Sequence, residues 1–331
     1  MALTAAMYVC LEKAQFLTYR FAEAESNIEP GSKSEGSLEV GPYFDHARAK
    51  IRSFARIPFI VIRGLGEGPT LCVTAGVHGT EYAGIGAAIK LAKELDPRIL
   101  RGKVMIVPVV NILAFGERTY LCPVDGVNIQ GSWPGKPDAS IGLMIAHRIF
   151  SNFISRSNFY VDLHGADSVE SEIPFSLFHR IGNTDIDNQS QSMALALGFE
   201  YNIVSEKDEG KGCSYRVGPE RGIPSVLCEL GEGDKLNLHE ISQVFDSVFN
   251  VMRYLKMIPG AAAITPSQKI IKYRHVDVDH DGFFYTSKRP GDVLAQGDEL
   301  GEVWSLEGEL IQKVHAPSKS VILLMIHNPV V

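Results

Sequence analysis

Four residues in this chain have the types and settings for hydrolytic metal chemistry: His78, Glu81, His164 and Glu229. The first two lie in LCVTAGVHGTEYAG (71–84), where an apolar run stops at glycine and then delivers an imidazole and a carboxylate three residues apart. Both are ligands that a divalent zinc ion accepts. NFYVDLHG (158–165) repeats the pattern, a strand-like run ending in histidine and glycine, and makes His164 the expected third ligand. Two ligands on one connection and one on another leave a fourth position for water, the arrangement of catalytic rather than structural zinc. Asp162 shares the side of an extended strand with His164 and is expected to support that ring from behind. IPSVLCELGEG (223–233) is another apolar run ending in an acid and glycine. It carries Glu229 to the same edge, and a carboxylate buried there needs a partner.

The elements that must hold these groups follow from composition and period. Leu71 to Thr74 has the character of a strand buried on both faces. Gly76 and Gly79 let the chain turn beside His78. From Tyr82 the apolar residues Ile85, Ala88, Ile89 and Ala92 recur at helical spacing, with Pro97 beyond the end. Ile57–Arg63 and Val104–Val109 read as further strands, and residues 140–154, 189–197 and 236–255 as helices. Strand and helix alternation predicts an α/β fold with a largely parallel sheet in a three-layer α/β/α sandwich, its site at the C-terminal ends of the strands. Residues 111–135 carry so many Gly, Pro, Asn and Asp that they are expected as one long functional loop. Residues 1 to about 40 are expected as a peripheral segment of strand and loop. From 263 onward short alternating segments are separated by Gly and Pro, so 1–262 reads as the catalytic domain and 263–331 as a small C-terminal all-β domain.

Composition narrows the class. Hydrophobic residues make up 45% and charged ones 21% of the 331, an ordinary globular balance. A net charge of −7 without a long Lys/Arg run gives no reason to expect nucleic acid. Five cysteines, Cys10, Cys72, Cys122, Cys213 and Cys228, show no Cys-x-x-Cys spacing, so neither a disulfide framework nor a thiolate zinc site is expected and a reducing cytoplasm is the simplest setting. MALTAAMYVC lacks a basic n-region and does not read as a signal peptide. No apolar run reaches the roughly 18 to 20 residues that cross a bilayer, so no membrane partner is expected.

The ordered set AGVHGTEYAG (75–84), DGVN with WPG (125–135), DLHG (162–165), GIPSVLCELG (222–231) and GDVLAQGDELGEV followed by HAPSKSVIL resembles the succinylglutamate desuccinylase/aspartoacylase family, relatives of the zinc carboxypeptidases. The resemblance covers nearly the whole chain. It implies one Zn2+ per chain on His78, Glu81 and His164, a sheet of zinc-carboxypeptidase type, Glu229 as general base and acid, and hydrolysis of an amide in a small acylated substrate. That chemistry agrees with the residues, since zinc lowers the pKa of bound water and polarises a carbonyl, while Glu229 would carry the proton to the leaving amine. Assembly as a homo-oligomer is left open.

The substrate end departs from the family. Its Asn-Leu-Asn-Arg stretch reads Asn128-Ile129-Gln130-Gly131 here, so the arginine that grips a substrate carboxylate is glycine. Asn128 and Gln130 remain as polar candidates for substrate contact. A second family arginine aligns with Tyr120, and Arg118 stands two residues earlier. Either the substrate carries no carboxylate at that end or another arginine supplies the charge, for which Arg216, in the Gly-flanked segment GCSYRVGPERG before Glu229, is the preferred candidate, with Arg118 second. The expected activity is deacylation of a small N-acyl amino acid or N-acyl amine. A carboxypeptidase-like peptidase or esterase, and a non-catalytic zinc- or ligand-binding protein, are the alternatives.

Overall fold

The apolar runs become the central strands of a nine-stranded mixed sheet. This computed structural model describes residues 28–45, 50–52 and 54–330. The expectations made for residues 1–27, the absence of a signal peptide among them, lie outside the described residues. In chain order the strands are β1 (Ser32–Val40), β2 (Ala55–Arg63), β3 (Gly66–Ala75), β4 (Arg101–Val107) and β5 (Phe159–His164). They continue with β6 (Phe175–Arg180), β7 (Tyr201–Glu206), β8 (Ser225–Glu229) and β9 (Lys269–Ile271). Their spatial order is β1-β2-β4-β3-β5-β8-β6-β7-β9. The central run β4-β3-β5-β8 is parallel, and antiparallel pairs occur at β1/β2, β2/β4 and β8/β6.

Among the described residues four helices cover the sheet: α1 (Tyr82–Glu94), α2 (Ile141–Asn152), α3 (Thr184–Ala196) and α4 (Leu238–Tyr254). On one face Ile85 and Leu91 of α1, Met193 of α3 and Val244, Val248 and Val251 of α4 pack on Leu71, Val73, Val161 and Val226. On the other, Ile141, Ile145 and Ile149 of α2 pack on Phe59, Cys72, Met105 and Tyr160. Leu71 and Val73 thus face one layer and Cys72 the other, the period-two alternation that makes a central strand apolar throughout. Each fully buried Leu, Val or Ile contributes about 1.5–3 kcal/mol, and this double-sided burial is what fixes the strand ends in place.

Three features depart from the pattern. Residues 111–135 are not one irregular loop: Ile112–Glu117 is an α-helix, because the Asn111 side chain accepts from the Ala114 N–H and caps it, and Ile129–Gly131 is a 3-10 turn capped by Asn128. The strands β6 and β7 carry polar residues inside the protein. Ser176 donates to Asn202 Oδ1 (2.7 Å) and His179 Nδ1 lies 2.6 Å from Ser205 Oγ, so cross-strand pairs satisfy what an apolar pattern would have signalled. Past residue 262, β9 extends the large sheet beside β7. Phe283–Tyr285, Glu299–Trp304 and Leu310–His315 then form a separate three-stranded antiparallel sheet. Finally Leu324–Ile326 returns to pair with Glu170–Glu172. Among the described residues, no helix is long and apolar enough to cross a membrane.

Candidate metal centre and active site

The three strands that end in candidate ligands are neighbours at the centre of the sheet. Register aligns Ala75 with Leu163 across β3 and β5, and His164 directly with Glu229 across β5 and β8. Asp162, His164 and Glu229 therefore project on one face at the C-terminal edge, opposite the face of Val161, Leu163, Val226 and Cys228. The turn after β3 is strapped by backbone bonds from Val110 N to Ala75 O, Asn111 N to Gly76 O and Gly79 N to Thr119 O. Gly76 has φ +63° there, a conformation that glycine adopts without strain. Glu81 opens α1 but makes no capping bond with its side chain, because its carboxylate turns to the histidines.

His78, Glu81 and His164 are buried and their donor atoms lie within 4.8 Å of one another. His78 Nδ1 is 2.5 Å from Glu81 Oε1, and His164 Nδ1 is 3.0 Å from Glu81 Oε2. The second contact lacks hydrogen-bond alignment, and Oε2 is left buried without a partner. The far ring nitrogens are both held: His78 Nε2 lies 3.2 Å from Asn128 Oδ1, and His164 Nε2 lies 3.1 Å from Asp162 Oδ2. Each oxygen accepts the Nε2–H, so the Nδ1 atoms are the ones both rings turn to the Glu81 carboxylate. Two imidazoles of fixed orientation and an orphaned carboxylate oxygen are a donor set suited to a metal ion.

The support runs further back. Thr74 donates to Asp162 Oδ1 (2.5 Å) and meets the Tyr160 hydroxyl at 2.8 Å. Burial raises the Asp162 carboxyl, but His164 and the hydroxyls of Ser214 and Thr74 outweigh it and hold it below the usual range. Burial likewise opposes charge on Glu81, yet the two imidazoles bring it down to about 2. On the other side of His78 the Tyr120 ring stacks at 3.7 Å and 16° between planes, and its hydroxyl hydrogen-bonds Asn128.

Around this cluster stand three more carboxylates. Burial raises Glu229 well above a normal glutamate, and Glu81, Glu170 and Asp162 raise it further against the pull of His164. Glu172 is raised too, by burial first and then by the Glu229 charge. Glu170 accepts from the Asp167 N–H at 3.0 Å and is also raised, chiefly by burial. Neither Glu170 nor Glu172 stood out in the sequence. Their signal is the triplet Glu-Ser-Glu, which places two acids on one side of any extended segment.

The family model described as the succinylglutamate desuccinylase/aspartoacylase catalytic domain matches residues 67–255, more than half of the chain. The chain belongs to this family. An N-alpha-acetyl-L-2,4-diaminobutyric acid deacetylase from Halomonas elongata is 27% identical over 255 residues, covering 76% of this chain and 74% of that protein. Among solved structures, an aspartoacylase family protein from Mesorhizobium loti aligns with TM-score 0.78 and 25% identity over 95% of this chain and 93% of its own. The product-bound ectoine utilization protein EutE (DoeB) from Ruegeria pomeroyi shares the fold, with TM-score 0.82 and 23% identity over 92% and 93% of the two chains.

Within this family member the residues expected at the substrate fall into different places. Asn128 stands behind His78, as described. Gln130 spends its amide inside the protein, donating to Ser214 Oγ (3.2 Å) and accepting from Trp133 Nε1 (3.1 Å). The Arg216 guanidinium donates to Glu220 Oε1 and to Glu209 O, both at 2.8 Å, and lines an open groove with His179, Asp187 and Glu206. Arg118 caps the Ile112–Glu117 helix in the left-handed region, and its charge acts on the Tyr82 phenol. At Gly131 an added Cβ would meet nothing within 4 Å.

Proposed function

We propose that this chain is a zinc-dependent deacylase that cleaves the amide of a small N-acylated amine or amino acid. The observation that carries the reading is the His78, Glu81, His164 cluster with Glu229 in register beside His164. His78 Nδ1, His164 Nδ1 and the Glu81 carboxylate would hold the ion, which when bound supplies Lewis acidity toward a carbonyl and an activated water. Asn128 and Asp162 fix the two rings, and Tyr120 shields His78 from solvent on its open face. Glu229, held well above the usual glutamate range by burial, takes the proton from the attacking water and returns it to the leaving nitrogen, which cannot depart as an anion. A non-catalytic binding protein has no use for such a base. The likeness to a deacetylase acting on an acetylated diamino acid supports a short acyl group. Residues 1–262 would perform this chemistry and 263–331 would border its mouth through Leu324–Ile326.

The test combines metal analysis with a panel of N-acetyl and N-succinyl amines, amino acids, dipeptides and esters. About one zinc per chain and turnover confined to small N-acyl compounds are expected. Zinc-loaded protein that turns over none of them overturns the reading, and a preference for dipeptides or esters replaces it.

A further inference from the structure

A chain of hydrogen bonds runs from the loop around Ile129–Gly131 to the ring of His164, and its direction is fixed. Ser214 opens the short helix Ser214–Val217 and is 1% exposed. Its neighbours place it on the Asp162 face of the sheet. Tyr215 joins the cluster of Leu227, the register partner of Asp162, and Val217 joins that of Tyr160. Gln130 Oε1 meets the Trp133 Nε1–H at 3.1 Å and the Ser214 N–H at 3.4 Å, two groups that can only donate. The amide nitrogen is therefore the atom turned to Ser214 Oγ, 3.2 Å away. Ser214 Oγ accepts that bond, which leaves its one proton for another acceptor, and the Asp162 carboxylate is the group it hydrogen-bonds. An ionised carboxylate offers only lone pairs, so Ser214 donates to it, as Thr74 does at 2.5 Å and His164 Nε2 at 3.1 Å. The order is Trp133 to Gln130 to Ser214 to Asp162, every bond donated toward the carboxylate that seats His164. The same loop serves the other ring, since Asn128 Oδ1 accepts from Gln130 N at 2.9 Å and faces His78 Nε2 at 3.2 Å.

We propose that Ser214, held in one hydroxyl orientation by Gln130, is a positioning residue for His164. This rests on the deacylase reading and names what keeps one of its metal ligands in place. With Thr74 as its sole hydroxyl donor the Asp162 carboxylate could pivot about that bond, and Ser214 supplies the second hold that keeps Oδ2 against the His164 Nε2–H. Gln130, expected at the substrate, is thereby committed to the metal side. The loop from Asn128 to Trp133 steadies both histidines, His78 directly and His164 through Ser214.

The experiment has two arms. Proton–nitrogen correlation spectra of the histidine rings, recorded on the full chain before and after zinc loading, follow the Nε2–H of His164 with that of His78 as internal reference. Ser214→Ala should shift the His164 signal and leave that of His78 in place, and Gln130→Met should move the same signal. Ser214→Thr, which keeps the hydroxyl, should leave it at its wild-type position. In titration against a competing chelator, Ser214→Ala and Gln130→Met should each weaken zinc binding by roughly 10-fold. The double variant should lose no more than Ser214→Ala alone, because Gln130 acts through Ser214. A His164 signal unmoved in Ser214→Ala, equal movement of both rings, or losses that multiply in the double variant overturn the proposal. Wild-type protein that takes up no zinc sinks the deacylase reading, while the ring spectra recorded before loading still decide the role of Ser214.

Discussion

Alanine at Gly79 should damage the centre without touching a ligand. An ideal Cβ there would lie 2.3 Å from Ala114 C, 2.4 Å from Ala114 O and 2.5 Å from Phe115 N, whereas ordinary contact begins near 3.4 Å. All three atoms are backbone, so no rotamer change relieves the overlap. The Gly79 N–H is also tied to Thr119 O at 3.0 Å, which prevents the loop from simply lifting away. About 1 Å of displacement must therefore enter the turn between His78 and Glu81, several times the ~0.2 Å that metal–ligand distances tolerate. Overpacking of this kind costs about 1–3 kcal/mol. With roughly 2.1 cal/mol/K of unfolding entropy per residue, the whole chain has about 0.7 kcal/mol/K, so the midpoint should fall by about 1.5–4 °C. Zinc affinity should fall by about 10- to 100-fold, the scale seen when support of ligands is disturbed. Gly116→Ala is the control: it lies within the Ile112–Glu117 helix with nothing within 4 Å of an added Cβ, and should gain up to about 1 kcal/mol. Thermal unfolding and zinc titration against a competing chelator read both quantities. A Gly79→Ala protein with unchanged midpoint and zinc affinity would refute the idea that this close approach sets the ligand geometry.

Two further outcomes concern the base. Glu229→Gln should retain zinc and fold while losing roughly 100-fold or more of kcat, and loss of zinc along with it would make Glu229 a ligand instead. The base works deprotonated, so activity disappears as pH falls through its raised pKa. Glu170 is one of the charges that raise it, and Glu170→Gln should move the acid limb of kcat/KM to lower pH. A limb that stays or moves upward would show that Glu170 is not felt at Glu229.

The central architecture was legible because burial on both faces leaves a plain mark. Runs such as Leu71–Val73 and Val226–Cys228 are apolar throughout, and His78 and Glu81 lie in the turn just beyond one strand while His164 closes another. The β6 and β7 strands hid behind Ser176, His179, Asn202 and Ser205, polar residues that read as exposed until their partners across the ladder are seen. The Ile112–Glu117 helix is too short for a period to show, and rests on one cap at Asn111. Long side chains were the hardest to read. Nothing in the spacing of Gln130 or Arg216 tells whether an amide or guanidinium reaches substrate or turns inward to Ser214, Glu220 and Glu209. Glu172 left no signal beyond its alternation with Glu170, because what distinguishes it is the burial of its carboxylate, a property of the folded surroundings.

The ribbon formed by Glu170–Glu172 and Leu324–Ile326 joins segments far apart in the chain, and Ile173 N to Leu323 O and His327 N to Val169 O extend it at both ends. Its consequence is that the segment following His164 is held by residues much later in the chain, so the two cannot move independently. A substitution that loosens Leu324–Ile326 is felt first at Glu170–Glu172, ahead of the strands β3, β5 and β8, whose ends are fixed by their own ladder in the central sheet.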